Sequence, residues 1–225
     1  MKIIDMGLVI HEGIRRWPDP KYKAPEMTWL INGEQEGPRK NRFSGQIKLY
    51  NHIGTHMDSP KHFGYSSTID EADLNVTCGP CYVVKFHDLP RHAPVTAEML
   101  AARIPADYDC RGKRLIIGCG YLDKNWETAG DNYFADAPYL HDSGAKWAVE
   151  KGFVLVGLDM QTDGESAIRG PVTHIELLSH GVYILEYLCN FDQWPEGESF
   201  LIATPLKLKG MEASIVRPAL IDFNA

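Results

Sequence analysis

The sequence predicts a single α/β (α+β) domain, rich in strands and poor in helices. Three observations carry that expectation. At 225 residues the chain can bury one sizeable core, whereas two domains would each be small. Its 44% hydrophobic and 10% aromatic residues suit a packed globule rather than a disordered chain. Short runs of Val, Ile, Leu and aromatic residues recur at 3–10, 46–51, 81–86, 114–119, 154–158, 182–188, 200–204 and 214–217, each of strand length.

Taken in order, the opening Met1-Lys2-Ile3-Ile4-Asp5 meets an acid after two apolar residues. That leaves no signal-peptide core, and no later apolar run reaches membrane-spanning length. A cytoplasmic location is expected. Segment 11–45 carries Pro18, Pro20, Pro25 and Pro38 among polar residues and reads as a long loop or flap over a site. Its Arg15, Arg16, Trp17 and Trp29 suit a lid over an aromatic or anionic ligand. Cys78-Gly79-Pro80-Cys81 has the letters of a redox pair, a chemistry that wants the first sulfur at a helix N-terminus. The strand-like Tyr82-Val83-Val84-Lys85-Phe86 follows instead, which favours a Gly-Pro turn entering a strand. Five cysteines in all, an odd number, fit a reducing compartment better than a disulfide framework. Helices are expected at 96–102 and at 143–150, the latter with a Ser143 cap. A third follows Gly170-Pro171, where Thr173-His174-Ile175-Glu176 has the capping-box pattern and Gly181 offers a stop.

The formal charge of −7 opposes a phosphate backbone, and no basic stripe interrupts it, so a nucleic-acid partner is not expected. The densest chemistry lies in Asn51-His52-Ile53-Gly54-Thr55-His56-Met57-Asp58-Ser59-Pro60-Lys61-His62, which holds three of the nine histidines and a carboxylate. Imidazole and carboxylate suit zinc, manganese or iron(II). In an extended stretch His56 and Asp58 point the same way, and Gly54 lets the chain turn so that His52 joins them. Three ligands leave coordination positions open, as a catalytic ion requires. The competing reading is a solvated polar loop, which would account for one histidine better than for this cluster. Further along, His174 falls in the first turn of the capped helix, where the dipole is expected to keep its ring neutral. Glu186 shares a strand face with Val182, Ile184 and Leu188, and a carboxylate buried there needs a cation or donors. An exposed strand end paired with an arginine accounts for Glu186 equally well.

The segment from His52 to His62 resembles the HxGTHxDxPxH signature of the cyclase family, which includes bacterial arylformamidases (kynurenine formamidases) and isatin hydrolase. Trp17-Pro18-Asp19 is similar to the family's Trp-Pro-Gly-Asp element, Gly157-Leu158-Asp159 to its Gly-Ile-Asp strand end, and the interval from His174 to Glu186 matches. Met160-Gln161-Thr162 departs from the Thr-Pro-Ser of formamidases, and 11–45 is longer and more charged. The resemblance implies a partly open, barrel-like core of the swivelling β/α type flanked by helices. It also implies a small-molecule substrate and a homodimer or higher homo-oligomer. His52, His56 and Asp58 would hold a first divalent metal, and Asp58, His174 and Glu186 a second, with Zn2+ (one or two ions) expected and Mn2+ the alternative. His62 would be the general acid/base and Trp17 a substrate contact. The implied activity is a metal-dependent amidohydrolase that cleaves an aryl formamide such as N-formylkynurenine with metal-activated water. A hydrolase of cyclic amides, imides or lactones is the alternative within enzymes, and a non-catalytic metal-binding module the alternative outside them.

Overall fold

The computed structural model describes residues 1–33, 40–164 and 166–223. Thirteen strands run through them: β1 Lys2–Asp5, β2 Glu26–Asn32, β3 Phe43–Lys48, β4 His56–Asp58, β5 Gly79–Lys85, β6 Pro94–Val95, β7 Arg114–Gly118, β8 Tyr139–Leu140, β9 Leu155–Leu158, β10 Tyr183–Glu186, β11 Gly197–Ile202, β12 Ala213–Ile215 and β13 Ala219–Asp222. Nine form one sheet in the order β1-β13-β11-β5-β7-β9-β10-β4-β12. Its centre, β5-β7-β9-β10, is parallel, and the strands outside it pair antiparallel.

The central strands are buried on both faces, which is why they read as unbroken apolar runs. Alternation sends Leu115, Ile117, Val156 and Ile184 to one core and Ile116, Leu155 and Leu185 to the other. The first core is closed by helices Ala97–Ala101, Asp142–Glu150 and Val172–Ser179 through Leu100, Ala145, Ala148, Leu177 and Leu178. The second gathers Met6, Leu201 and Leu220 from one end of the sheet and Met57 from near the other. Two ends of a sheet can share a core only if the sheet curls, so the nine strands make an open half-barrel with helices on its outer face.

The expected strands recur with ends shifted by one to three residues or trimmed. Run 3–10 stops at Asp5, whose carboxylate accepts from the Gly7 N–H at 3.0 Å and turns the chain. Segment 11–45 departs from expectation, because β2 and β3 pair as a hairpin within it and beyond it. Both strands are exposed on nearly every residue, and β2 lies among the prolines that read as loop. Part of the expected flap, 34–39, lies outside the described residues. Strand β13 was not anticipated either. The second helix starts at Asp142, one residue before the expected Ser143 cap, with the His141 ring accepting from the Ser143 N–H. The third starts at Val172, which puts Thr173 inside the first turn and not at its cap. Cys81 sits buried in β5, its thiol pushed up to about 12 by burial, and it forms no disulfide with Cys78. That agrees with a turn-to-strand role. Among the described residues no helix is long and apolar enough to cross a membrane.

One core carboxylate couples the fold to pH. Asp159, beyond the end of β9, is fully buried. Burial lifts its pKa to about 6 although the Cys119 N–H donates to Oδ1 at 2.8 Å. The folded state therefore binds a proton that the unfolded chain has released between about pH 4 and 6, and stability falls as pH rises through that window. Asp159→Asn is expected to flatten this slope and raise stability at pH 7.5 by up to about 3 kcal/mol. Urea unfolding of both proteins at pH 5 and 7.5 measures it.

Candidate metal centre in an aromatic cleft

The site is assembled around β4, which lies between β10 and β12 with every residue buried. His56 and Asp58 are two apart and share a face. Antiparallel pairing sets Glu186 of β10 directly opposite His56, so these side chains emerge together. His56 Nε2 lies 3.3 Å from Glu186 Oε2 and 3.5 Å from Asp58 Oδ1. Gly54 makes the turn before the strand at φ 59°, and a Cβ there would come 3.1 Å from Ile14. The glycine conformation lets the Gly54 carbonyl accept from His56 Nδ1 at 2.8 Å. His52, on the far side of the turn, places Nδ1 2.9 Å from Asp58 Oδ1. His174 comes in from the first turn of its helix, with Nε2 3.7 Å from Asp58 Oδ2 and 3.6 Å from Glu186 Oε1.

Each of these three histidines has one nitrogen held from outside and the other facing the cluster. His56 is held by the Gly54 carbonyl, His174 Nδ1 by Asp163, and His52 Nε2 by Glu212 at 3.3 Å. Such outer partners fix the tautomer that leaves a lone pair for a metal. The inward atoms fit an ion. His56 Nε2 and both Asp58 oxygens are buried without a hydrogen-bond partner, a costly arrangement for a carboxylate unless a cation faces it. Two sets of ligand atoms lie within 4.8 Å of one another, His52-His56-Asp58 and Asp58-His62-His174. Asp58 belongs to both, which suits a bridging carboxylate. All five expected metal ligands therefore converge, with His62 beside them, its ring centre 4.3 Å from that of His52.

The carboxylates and imidazoles of the cluster shift one another's pKa values toward the charged forms. Burial opposes charge on His52, but Asp58 and Glu212 lift it to about 10. Burial likewise opposes charge on His174, where Asp163, Asp58 and Glu186 lift it to about 10. At the helix end, where the dipole favours a neutral His174 ring, a hydrogen-bonded carboxylate at contact acts in the opposite sense. Asp58 stays well below the usual carboxylate range despite complete burial, through His52, His56 and His174. Glu186 is lowered in the same sense by His56 and His174. His62 goes the other way. Burial lowers its pKa against the pull of Asp58, which favours the neutral, proton-accepting form.

A cleft of about 360 Å³ opens above the cluster, walled by Trp17, Tyr22, Tyr50, Phe63, Trp126 and Phe134. Trp17, in the cleft wall, meets Phe134 edge to face at 5.0 Å. Trp29, by contrast, lies on the exposed hairpin. Sequence reasoning did not find Asp163 or Glu212. Asp163 accepts from the backbone N–H of Thr173 at 2.7 Å, so one carboxylate both caps the helix and grips His174. The departure at Met160-Gln161-Thr162 does fall at the site: Gln161 lines the cleft and the Thr162 hydroxyl donates to Glu186.

Residues 4–163 match the sequence pattern of the family described as "Putative cyclase". The chain belongs to this family. Within reach of this cyclase chain stands a kynurenine formamidase of Paracidovorax citrulli, 33% identical over 220 residues that cover 96% of this chain and 94% of that one. Another, from Bacillus cereus, is 27% identical and covers 96% of both. Among solved structures, a protein described as a potential metal-dependent hydrolase with cyclase activity superposes with a TM-score of 0.76 at 27% identity, covering 98% of both chains. An isatin hydrolase bound to the product analogue thioisatinate gives a TM-score of 0.85 at 20% identity, covering 98% of this chain and 92% of the other, a likeness of fold.

The outer shell of this cyclase-family chain makes its own prediction. Asp163→Asn keeps an acceptor for the helix N-terminus but removes the charge behind His174. It is expected to weaken metal affinity or activity about 10- to 100-fold, read by titrating zinc against a competing chelator. An unchanged affinity would separate Asp163 from the metal site.

Proposed function

We propose that this chain is a metal-dependent amidohydrolase that cleaves aryl formamides, with N-formylkynurenine the leading substrate. One observation carries the reading. The unpartnered inward atoms of His56 and Asp58 lie at the floor of a cleft whose walls are aromatic, with His62 beside them. A closed structural metal site would need neither the aromatic walls nor a neutral histidine at its edge. Relatives named kynurenine formamidase, aligned over nearly the whole chain, support the substrate class.

In this proposal His52, His56 and Asp58 hold one divalent ion, and Asp58, His174 and Glu186 hold a second when two bind. Zn2+ suits this nitrogen and oxygen set, with Mn2+ the alternative. A divalent ion held there supplies Lewis acidity and lowers the pKa of water toward about 7. The residues of this chain do the rest. Gly54, Asp163 and Glu212 fix the ligating rings, Trp17 and its aromatic neighbours orient the substrate ring, and the walls limit bulk water. His62 accepts the proton of the attacking water and returns it to the aryl nitrogen. The carbonyl C–O bond forms, the C–N bond breaks, and formate and an aryl amine leave.

Removal of metal by chelation, followed by stoichiometric return of zinc or manganese, tests the proposal with N-formylkynurenine and isatin side by side. Restored hydrolysis of the formamide is the expected result. Preferential opening of isatin would assign the cyclic-amide reading, and metal binding without turnover of either would defeat the hydrolase.

We also place the chain in the reducing cytoplasm, a location supported by five free cysteines. A homodimer is the proposed assembly. The hairpin exposes Trp29, Leu30, Phe43 and Ile47, each more than half exposed. A two-stranded hairpin is marginal alone, and so large an apolar surface suits a second copy of the chain. Trp29→Lys with Ile47→Lys is expected to halve the mass measured by sedimentation equilibrium.

A further inference from the structure

Two adjacent arginines line the cleft, and they are committed very differently. Arg15 is a brace: Nε donates to the Trp126 carbonyl at 2.8 Å, Nη1 donates to the Gly130 carbonyl, and the guanidinium lies 5.0 Å over the Tyr133 ring. Arg16 spends only Nε, which donates to the Tyr22 carbonyl at 3.0 Å. It is exposed at the mouth, and among the described residues no carboxylate pairs with it. The acids of the cleft are engaged elsewhere, Asp58 and Glu186 with the imidazoles of the floor, Asp163 with His174 and Glu212 with His52 and Asn51.

Arg16 and the floor also share a wall. The Tyr50 ring stacks on Tyr22 with centres 4.9 Å apart, and its phenol lies within electrostatic reach of both Arg16 and Glu186. A ligand standing on that wall can place one end at the metal ligands and the other at the guanidinium. The whole chain carries −7, a field unfavourable to a carboxylate, so recognition of a carboxylate group needs a local cation at the entrance. Guanidinium meets carboxylate through two parallel N–H donors, a geometry that lysine does not reproduce.

We propose that Arg16 is the specificity-determining residue of this cleft, selecting aryl amides that carry a carboxylate remote from the scissile bond. The inference rests on the amidohydrolase reading above and extends it to the charge of the substrate. N-formylkynurenine and N-formylkynuramine, which differ by that one carboxylate, are the probes. The wild-type enzyme is expected to prefer the carboxylate form in kcat/KM, and Arg16→Ala to reduce the preference at least 10-fold, chiefly through KM. Arg16→Lys should keep part of it. No preference in the wild type, or an equal preference in Arg16→Ala, would overturn the assignment. If neither formamide is turned over, the amidohydrolase reading fails, and calorimetric binding of kynurenine against kynuramine then decides the role of Arg16. A carboxylate preference lost in Arg16→Ala upholds it, and one unaffected by the substitution, or absent from the start, refutes it.

Discussion

Asp58→Asn is expected to abolish high-affinity metal binding and to lower turnover by at least about 1,000-fold, with the fold intact. The substitution keeps shape and volume in the middle of β4, so backbone pairing with β10 and β12 has no reason to change. What it removes is the charge common to both sets of ligand atoms. Asp58 Oδ1 faces His52 and His56, and Oδ2 faces His174, so its loss affects either ion position. It also puts an amide N–H₂, a donor without a lone pair to give, among imidazoles whose inward nitrogens should be acceptors. Metal content after dialysis, kcat/KM with added zinc and far-ultraviolet circular dichroism together measure the effect. Retention of stoichiometric metal with near-normal activity would remove Asp58 from the centre of the site.

The candidate ligand set was legible because a strand period and a turn glycine announce it. His56 and Asp58 are separated by the two-residue repeat of a strand, and Gly54 marks the turn that returns His52 to the same face. Glu186 could be suspected from a carboxylate on an apolar strand face, but only the register that sets it opposite His56 explains why it is there. Asp163 and Glu212 were invisible for the opposite reason. Each sits in irregular chain, and its function comes from which imidazole it meets across 11 or 160 residues of sequence. No local pattern encodes that. The parallel strands were readable as apolar runs, and the half-barrel closure was not, because β1, β13 and β4 reach a common core through topology. Of the hairpin, β3 overlaps the expected run 46–51, whereas β2 lies inside the proline-bearing segment that reads as a loop. At His174 a tertiary contact joins the local one, since Asp163 grips Nδ1 beside the helix end.

His62 provides the test of mechanism, since its position admits two roles. It stands close enough to Asp58 and His174 to be a third ligand, yet burial lowers its pKa, whereas hydrogen-bonded carboxylates raise those of His52 and His174. It also sits on a turn of its own, Pro60–Phe63, just beyond the end of β4. A base that must accept and then return a proton profits from that neutral form, whereas a ligand would be held from outside as His52, His56 and His174 are. No such outer acceptor grips His62 among the described residues. His62→Ala is therefore expected to keep the wild-type metal stoichiometry while kcat falls by about 100- to 10,000-fold. The loss should be smaller for a formanilide bearing a ring nitro group, because a better leaving amine needs less protonation in the transition state. Loss of one metal equivalent in His62→Ala would instead make it a ligand, and full activity would take it out of the reaction. The leaving-group series separates the roles even where both metal content and rate change, since a missing ligand slows every substrate alike and a missing proton donor penalises the poorest leaving group most.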